Sequence, residues 1–291
     1  MKYIEKQIGK FKMRIKSKEG GIHSDLRKMI DGQKKEREPE LLHIIKTEVK
    51  QGFTTIDLGS NIGYITLLLS DLVGKNGIVY AIEPEPENFN ILNYNIEINK
   101  ITNVKTFNFA ISDTKEKLEF HIGRSSNLSS LIKSKNSTEK NILVNTETLT
   151  DFLKGKKYPN FIKMDVEGSE VEIFRGMYDY FKNTNEGNCL IVLEIHPMFY
   201  SPERSLENEF KKFLQIGFKT KYVISAGVPT PDKFKEFGYD KPDLVFRNRG
   251  IYSNITDEHM IYFSCRQHIQ KVPGKKDSIK IVRYVALERS K

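Results

Sequence analysis

The stretch Phe53-Thr-Thr-Ile-Asp-Leu-Gly-Ser-Asn-Ile-Gly63 decides the fold. Five of its first six residues are apolar or β-branched, and turn-forming residues follow them, which predicts a buried strand. After Gly63, the residues Tyr64-Ile-Thr-Leu-Leu-Leu-Ser70 are typical of a helix. A strand, a tight glycine-rich turn and a helix N-terminus present backbone N–H groups to an anionic ligand group. The sequence therefore predicts a ligand-binding turn, which is formed by Gly59, Ser60, Asn61 and Gly63.

The residues of this turn narrow the choice of ligand. The dinucleotide fingerprint needs glycines at the positions that Asn61 and Tyr64 occupy. The phosphate-binding P-loop needs a lysine after its last glycine, and here Tyr64 follows Gly63. An acidic residue at the end of the strand, Asp57, suits a ligand that carries an amino group. A nucleotide-linked amino acid such as S-adenosylmethionine fits better than a pyrophosphate. On this stretch alone, an ordinary glycine-rich turn is the alternative.

The next strand supports a nucleotide ligand. Gly77-Ile-Val-Tyr-Ala-Ile82 is followed by Glu83, which lies 26 residues beyond Asp57 (83 − 57). An acidic side chain at the tip of the second strand can accept hydrogen bonds from both ribose hydroxyls. We therefore predict that Asp57 and Glu83 contact the ligand.

Four blocks of sequence resemble the FkbM-type class I methyltransferases. They are Asp57-Leu-Gly-Ser-Asn-Ile-Gly-Tyr64, Ala81-Ile-Glu-Pro-Glu-Pro-Glu-Asn88, Asn103-Val104 and Ile162-Lys-Met-Asp-Val-Glu-Gly-Ser-Glu170. The resemblance covers roughly residues 50–220. It implies transfer of a methyl group from S-adenosylmethionine, which leaves S-adenosylhomocysteine, to an oxygen of a sugar, glycan or polyketide-derived hydroxyl. Ser60 replaces the commoner alanine of the first block, a small change that should not disturb donor binding.

The order of the predicted elements indicates an α/β protein. Strands alternate with helices, which favours a doubly wound, mostly parallel seven-stranded sheet with helices on both faces, Rossmann-like as in class I methyltransferases. We expect the sixth and seventh strands at Phe218–Ile224 and Asp243–Phe246. Residues 1–50 are predicted to be a strand and helix prefix that packs on the sheet, residues 51–249 the methyltransferase domain, and residues 250–291 a C-terminal extension of unknown role.

One segment lacks a regular pattern. Residues 123–138 are rich in serine and asparagine. Such a stretch is a candidate for a mobile lid or substrate loop, and a surface loop without a role is an equal alternative.

The predicted strand ends bring candidate site residues to one crevice, because ligands of open α/β sheets bind at the carboxyl ends of the strands. Ala110 and Ile111 are expected to border the adenine. Removing a hydroxyl proton during methyl transfer requires a base, and we predict Asp165, Glu167 and His196 as the catalytic residues. For His196, a structural role before Pro197 is the alternative.

The same side chains raise the question of a metal. Two carboxylates and a histidine can ligate a divalent cation, which would lower the pKa of the acceptor. The spacing shows no dedicated metal-loop signature, so we predict no metal ligands and keep a divalent cation as the less favoured alternative.

Composition bounds the remaining choices. The chain has 291 residues, no uninterrupted apolar run near the ~18 residues that span a membrane, and no apolar signal-peptide core. We therefore expect a cytoplasmic protein in which Cys189 and Cys265 are free thiols.

The net charge of +9 permits an RNA partner, but glutamates interleave with the basic residues. An RNA methyltransferase, or a non-catalytic binding module that retains the fold, are thus the alternatives to a small hydroxylated or glycan acceptor.

Overall fold

The structure is a computed structural model that describes residues 2–29, 36–184, 186–266, 269–270 and 279–290. Within these residues the strands are β1 (Tyr3–Ile8), β2 (Phe11–Lys16), β3 (Thr54–Leu58), β4 (Ile78–Ile82), β5 (Val104–Phe107), β6 (Ala110–Ser112), β7 (Lys117–Gly123), β8 (Ser137–Thr148), β9 (Phe161–Met164), β10 (Cys189–Glu194), β11 (Lys219–Ser225), β12 (Leu244–Phe246), β13 (Arg249–Tyr252), β14 (Ile269–Gln270), β15 (Ile279–Lys280) and β16 (Val282–Arg289). The helices are α1 (Gly21–Lys28), α2 (Pro39–Glu48), α3 (Tyr64–Val73), α4 (Pro86–Ile98), α5 (Leu149–Phe152), α6 (Glu170–Asn183), α7 (Leu206–Gln215), α8 (Asp232–Glu236) and α9 (Asp257–Ile261).

A nine-stranded sheet, in the order β12-β13-β11-β16-β10-β9-β3-β4-β5, forms the centre of the molecule. The run from β10 to β5 is parallel throughout. Strand β16 is antiparallel to both of its neighbours, β10 and β11, and β13 is antiparallel to β11 and β12. The α/β class is confirmed, but the prediction of seven mostly parallel strands is wrong, because the sheet is mixed and has nine.

The two additional strands change the assignment of the chain's last part. The predicted sixth strand is β11, and the predicted seventh, β12, lies at the edge of the sheet rather than beside β11. The place between β10 and β11 is taken by β16, which comes from the segment predicted as an extension of unknown role. Its pairing partners lie far away in the sequence, so local pattern could not give its position in the sheet.

Both faces of the sheet are covered, as alternating side chains on one strand show. On β10, Ile191 and Leu193 pack into the core beneath α6 and α7, whereas Leu190 and Val192 pack into the core that α2 and α3 cover. A strand buried on both faces reads as a continuous apolar run, which is what Cys189–Leu193 shows. Residues 110 and 111, predicted to end the third strand, instead form the separate strand β6 beside β8.

The N-terminal hairpin packs against helix α4 rather than joining the sheet. The side-chain amide oxygens of Asn95 and Asn99 accept hydrogen bonds from the backbone N–H groups of Arg14 and Lys12, at 2.6 and 2.9 Å. These bonds satisfy the open edge of β2. Helix α1 follows directly, so the hairpin places α1 beside the carboxyl ends of the central strands, where Ile22 lines the main cleft. In the part of the chain that the structure describes, no helix has the length and apolar character to cross a bilayer.

Candidate active site

The main cleft lies at the carboxyl ends of β3, β4 and β9 and contains about 920 Å³ of space, its open mouth included. It takes in eight of the eleven predicted site residues, which are Gly59, Ser60, Asn61, Glu83, Ala110, Ile111, Asp165 and Glu167. The other three, Asp57, Gly63 and His196, lie behind its wall. A cleft of this size is typical of a site for a small molecule or cofactor.

The glycine-rich turn passes very close to the end of β9. Gly59 has a φ of +73°, and a Cβ atom there would lie 2.0 Å from the carbonyl oxygen of Asp165. Only glycine fits at such an approach. Gly63, with a φ of +91°, precedes α3, and a Cβ atom there would lie 2.7 Å from the Leu92 side chain. Both glycines are therefore needed for the backbone conformation and the close packing of the turn.

The backbone N–H groups of this turn are used inside the protein. Those of Gly59 and Ser60 donate to the Ile82 carbonyl at 3.1 and 3.0 Å, and that of Asn61 donates to the Glu83 carboxylate at 2.7 Å. The next two amides donate to the Asn61 side chain and the Ser60 carbonyl. The prediction that residues 59–63 present free N–H groups is therefore wrong, because strand β4, the Glu83 carboxylate that follows it and the turn itself accept these hydrogen bonds.

Asp57 contacts the cleft only through another residue. It is fully buried, it accepts a hydrogen bond from the Thr66 hydroxyl at 2.7 Å, and its second oxygen lies 3.2 Å from Nζ of Lys163. Lys163 itself lines the cleft and donates to the Gly59 carbonyl at 2.9 Å. Burial alone would lower the pKa of Lys163, but the carboxylates of Asp57 and Asp165 outweigh it and raise that pKa. Asp57 thus holds a buried cation against the turn.

Glu83 closes β4 with a carboxylate that has no cation bound to it within the described residues. It accepts hydrogen bonds from the N–H groups of Asn61 and Glu85, at 2.7 and 3.0 Å. It is 4% exposed, and burial raises its pKa to about 8. A hydrogen-bond acceptor at a strand tip inside a cleft is suited to ligand hydroxyl groups.

The other end of the cleft holds the predicted catalytic groups. Asp165 follows β9, and burial together with the nearby Glu194 raises its pKa. Glu167 has a φ of +51°, an uncommon conformation for a side chain of this size, and burial raises its pKa to about 8. Of the non-glycine residues with positive φ, Glu38 and Asn61 also line this cleft. Strained backbone of this kind clusters at functional sites.

His196 lies behind Glu167 and is surrounded by carboxylates. Its Nδ1 lies 2.7 Å from Oε1 of Glu170, and its Nε2 lies 3.4 Å from Glu167 and 3.5 Å from Glu194. Burial by itself would lower the pKa of His196, but Glu170 and the other carboxylates raise it to about 9. The raised pKa favours the protonated ring, whose positive charge can stabilise a negative charge on Glu167.

Three of these side chains form a group that can hold a metal ion. Ligand atoms of Asp165, Glu194 and His196 lie within 4.8 Å of one another. Glu194, however, already binds Lys280 at 2.7 Å and Arg283 at 2.9 Å. These two cations supply the positive charge that a metal would bring, so a divalent cation at this place would meet their repulsion.

The serine-rich segment covers part of the main cleft. Asn127, Ser129 and Leu131 line it. The Ser129 hydroxyl donates to Glu85 at 3.1 Å, and that of Ser130 donates to the Glu167 carbonyl at 2.8 Å. The segment therefore contacts both ends of the site.

Sequence reasoning missed several residues of the cleft wall, which include Arg37, Glu38, Tyr64, Lys163 and Asn127. For Lys163 a signal was available, since a lysine inside an otherwise apolar strand is a buried charge that needs a partner. Arg37 and Glu38 carried no such signal, because a mixed charge run is typical of a solvated surface.

The order of the central strands and the cleft at their carboxyl ends define an α/β nucleotide-binding fold of the methyltransferase type. The sequence model described as the methyltransferase FkbM domain matches residues 57–220. The chain therefore belongs to the FkbM methyltransferase family, as its sequence blocks predicted.

Two curated relatives are similar to this chain. Hexuronic acid methyltransferase AglP of Haloferax volcanii is 26% identical over 161 residues, which are 55% of this chain and 62% of the relative. Methyltransferase 1 of Beauveria bassiana is 26% identical over 145 residues, 43% of this chain and 58% of the relative. The chain thus spans about three fifths of the length of these relatives.

Solved structures with a similar fold include M. jannaschii TYW2 in complex with AdoMet, which has a TM-score of 0.43 and 14% identity and is matched over 99% of this chain and 87% of its own. Precorrin-6y C5,15-methyltransferase from Geobacter metallireducens has a TM-score of 0.42 and 11% identity, over 90% and 96% of the two chains.

Proposed function

We propose that this protein transfers the methyl group of S-adenosylmethionine to a hydroxyl oxygen of a sugar, a glycan or another small hydroxylated acceptor. One observation carries the proposal. A single cleft brings together the glycine-rich turn, the carboxylate of Glu83, which can accept hydrogen bonds, and the acidic pair Asp165 and Glu167. Membership of the FkbM family supports the reaction. The name of the relative AglP supports a sugar acceptor at 26% identity.

The residues of the cleft fit such a donor in two respects. Glu83 offers a buried carboxylate with two oxygens, which suits the two hydroxyls of a ribose. Ala110 and Ile111, both buried, offer an apolar wall that suits an adenine ring. The turn at Gly59, Ser60 and Asn61 then lies beside the amino acid portion of the donor, and Asp57 acts from behind by holding Lys163 against that turn.

The donor supplies an electrophilic methyl group on a sulfonium. The new O–CH3 bond forms as the S–CH3 bond breaks, the electron pair of that bond stays on sulfur as a thioether, and the hydroxyl proton goes to a protein base. Holding the acceptor oxygen in line with the methyl carbon supplies much of the acceleration.

We assign the base to Glu167. It lines the cleft, and its carboxylate lies 3.4 Å from the protonated ring of His196, which stabilises its charged form. His196 is itself oriented by Glu170 at 2.7 Å. His196 and Glu170 are thus positioning residues, and Asp165 faces the methyl end of the cleft as a second acidic group.

Calorimetry with S-adenosylhomocysteine tests this proposal directly. We expect wild-type protein to bind it and Glu83→Ala to bind it about tenfold more weakly, because two hydrogen bonds with the ribose hydroxyls are lost, at about 0.5–1.5 kcal/mol each. Glu97→Gln, an exposed glutamate on α4, is the matched control and should bind like wild type. Folded wild-type protein that binds neither the donor nor its product would overturn the proposal.

A further inference from the structure

A second cavity, which we name the arginine cavity, adjoins the main cleft. It contains about 1130 Å³ of space, its open mouth included, and meets the main cleft at Arg37, Glu38 and Asn127, which line both. Its lining is mainly charged. The cations are Lys28, Arg37, Arg247, Arg249 and Arg283, and the acids are Asp25, Glu36, Glu38 and Glu40.

The acids of the arginine cavity are already bound to cations. The ion pairs are Asp25–Arg37, Glu38–Arg37, Glu38–Arg283, Glu36–Lys46 and Glu40–Arg249. Within the described residues, Lys28 and Arg247 form no ion pair, and Arg247 donates only to the backbone carbonyl of Glu36, at 3.2 Å. The cavity therefore has positive charge that no carboxylate of the described chain neutralises.

The backbone at Arg247 points to a reason for its presence. Arg247 and Asn248 join β12 to β13, and Arg247 has a φ of +55°. Short hairpin turns with positive φ favour glycine, asparagine or aspartate. An arginine at this position costs free energy, and such a cost is found where the side chain has a use.

The arginines also lie close enough to affect one another. Burial, followed by repulsion from Arg283, lowers the pKa of Arg249. A bound anion would relieve this repulsion, and guanidinium groups bind carboxylates and phosphates through paired hydrogen bonds.

We propose that the arginine cavity is the acceptor site and that the acceptor carries an anionic group, a carboxylate or a phosphate, which Arg247 and Lys28 contact. This inference rests on the proposed methyl transfer. An acceptor seated here has its hydroxyl directed past Arg37 and Glu38 into the main cleft, where Asp165 and Glu167 lie. The site selects acidic sugars over neutral ones of the same size.

The test compares matched acceptors by calorimetry and by mass-spectrometric detection of methyl transfer. The probes are phenyl β-D-glucuronide against phenyl β-D-glucoside for the carboxylate, and glucose 6-phosphate against glucose for the phosphate. We expect at least tenfold tighter binding of one acidic probe than of its neutral partner, and a preference that declines as salt is added. The double variant Lys28→Gln/Arg247→Asn should lose most of this preference, with KM for the acidic probe raised about tenfold and kcat nearly unchanged.

Two controls separate the possible failures. Asparagine tolerates positive φ better than arginine, so the variant should unfold at a temperature no lower than wild type does. Lys235→Gln, an exposed lysine on α8, should retain the preference. Loss of S-adenosylhomocysteine binding by wild type counts against the proposed methyl transfer. With that binding intact, equal or absent binding of acidic and neutral probes, or a preference that survives in the double variant, overturns the acidic acceptor.

Discussion

Glu83 and Glu194 end two strands of one sheet and are equally buried, at 4% exposure each, yet they carry charge differently. Burial raises the pKa of Glu83 to about 8, and within the described residues no ion pair offsets it. Burial acts on Glu194 in the same direction, but Arg283 and Lys280 outweigh it and hold its pKa well below the usual range. The surrounding cations, and not the depth of burial, decide which carboxylate is charged. In the proposed site Glu83 can thus bind the hydroxyls of the donor, whereas Glu194 is fixed in an ion-pair network with Arg283 and Lys280.

The largest expected effect on this contrast is a loss of stability in the variant Arg283→Met. It removes one of the two cations from a buried carboxylate, and breaking a buried pair from one side costs about 3–5 kcal/mol. Denaturant unfolding measures the loss. The paired variant Arg283→Met/Glu194→Gln should recover part of it, since the buried side chain that lost its cation is then neutral and only the partly exposed Lys280 is left without its partner. A single variant as stable as wild type would show that Lys280 alone neutralises Glu194.

The next effect concerns Glu167 and its pH dependence. Glu167→Gln should lower kcat about a hundredfold, since general bases contribute roughly 10²–10⁴-fold. The wild-type rate should rise with pH as Glu167 ionises near its raised pKa of about 8, and fall again as His196 loses its proton near its pKa of about 9. Because the two groups interact, the profile reports the pair.

The rising limb of that profile is the check on the base. It should be absent in Glu167→Gln and retained in Glu97→Gln. A rising limb that persists without the Glu167 carboxylate would assign the base elsewhere, with Asp165 the next candidate.

The smallest effect, counted per unit of pH, is the change in stability of Glu83→Gln relative to wild type. The folded-state pKa of Glu83 is raised, so the folded protein holds a proton that the unfolded chain has released between its usual pKa of about 4.5 and about 8. Its contribution to stability is complete below 4.5 and is lost as pH rises through 8. Relative to wild type, Glu83→Gln should therefore gain stability with rising pH in that window, at most about 1.4 kcal/mol per pH unit. Unfolding curves at pH 5, 6.5 and 8 measure the gain, and a pH-independent difference would contradict a raised pKa.

The parallel half of the sheet and eight residues of the main cleft were predictable from sequence, because each strand-turn-helix unit is local. The strand before Gly59 and the acid after the next strand identify themselves by pattern alone. The mixed half of the sheet was not predictable, because β16 lies between β10 and β11 through pairing between residues that are far apart in the sequence. The ion pairs of Glu194 could not be predicted for the same reason, because Lys280 and Arg283 are far from it in the sequence.

The charge state of His196 was also beyond the sequence. A histidine near a strand tip suggests a base of ordinary pKa. Three carboxylates from separate elements converge on its ring in the fold, and that convergence makes it a cation. Glu167, two residues from Asp165, was a candidate from the sequence, but its positive φ and its approach to the His196 ring became visible only in the fold.

The late position of β16 has a consequence for synthesis of the protein. A chain emerging from the ribosome folds its N-terminal part first, so β10 waits with an unpaired edge until residues 282–289 are made. The same strand delivers Arg283 to Glu194. A chain in which β16 has not yet been made therefore exposes the edges of β10 and β11, which are templates for aggregation, and lacks Arg283 beside Glu194.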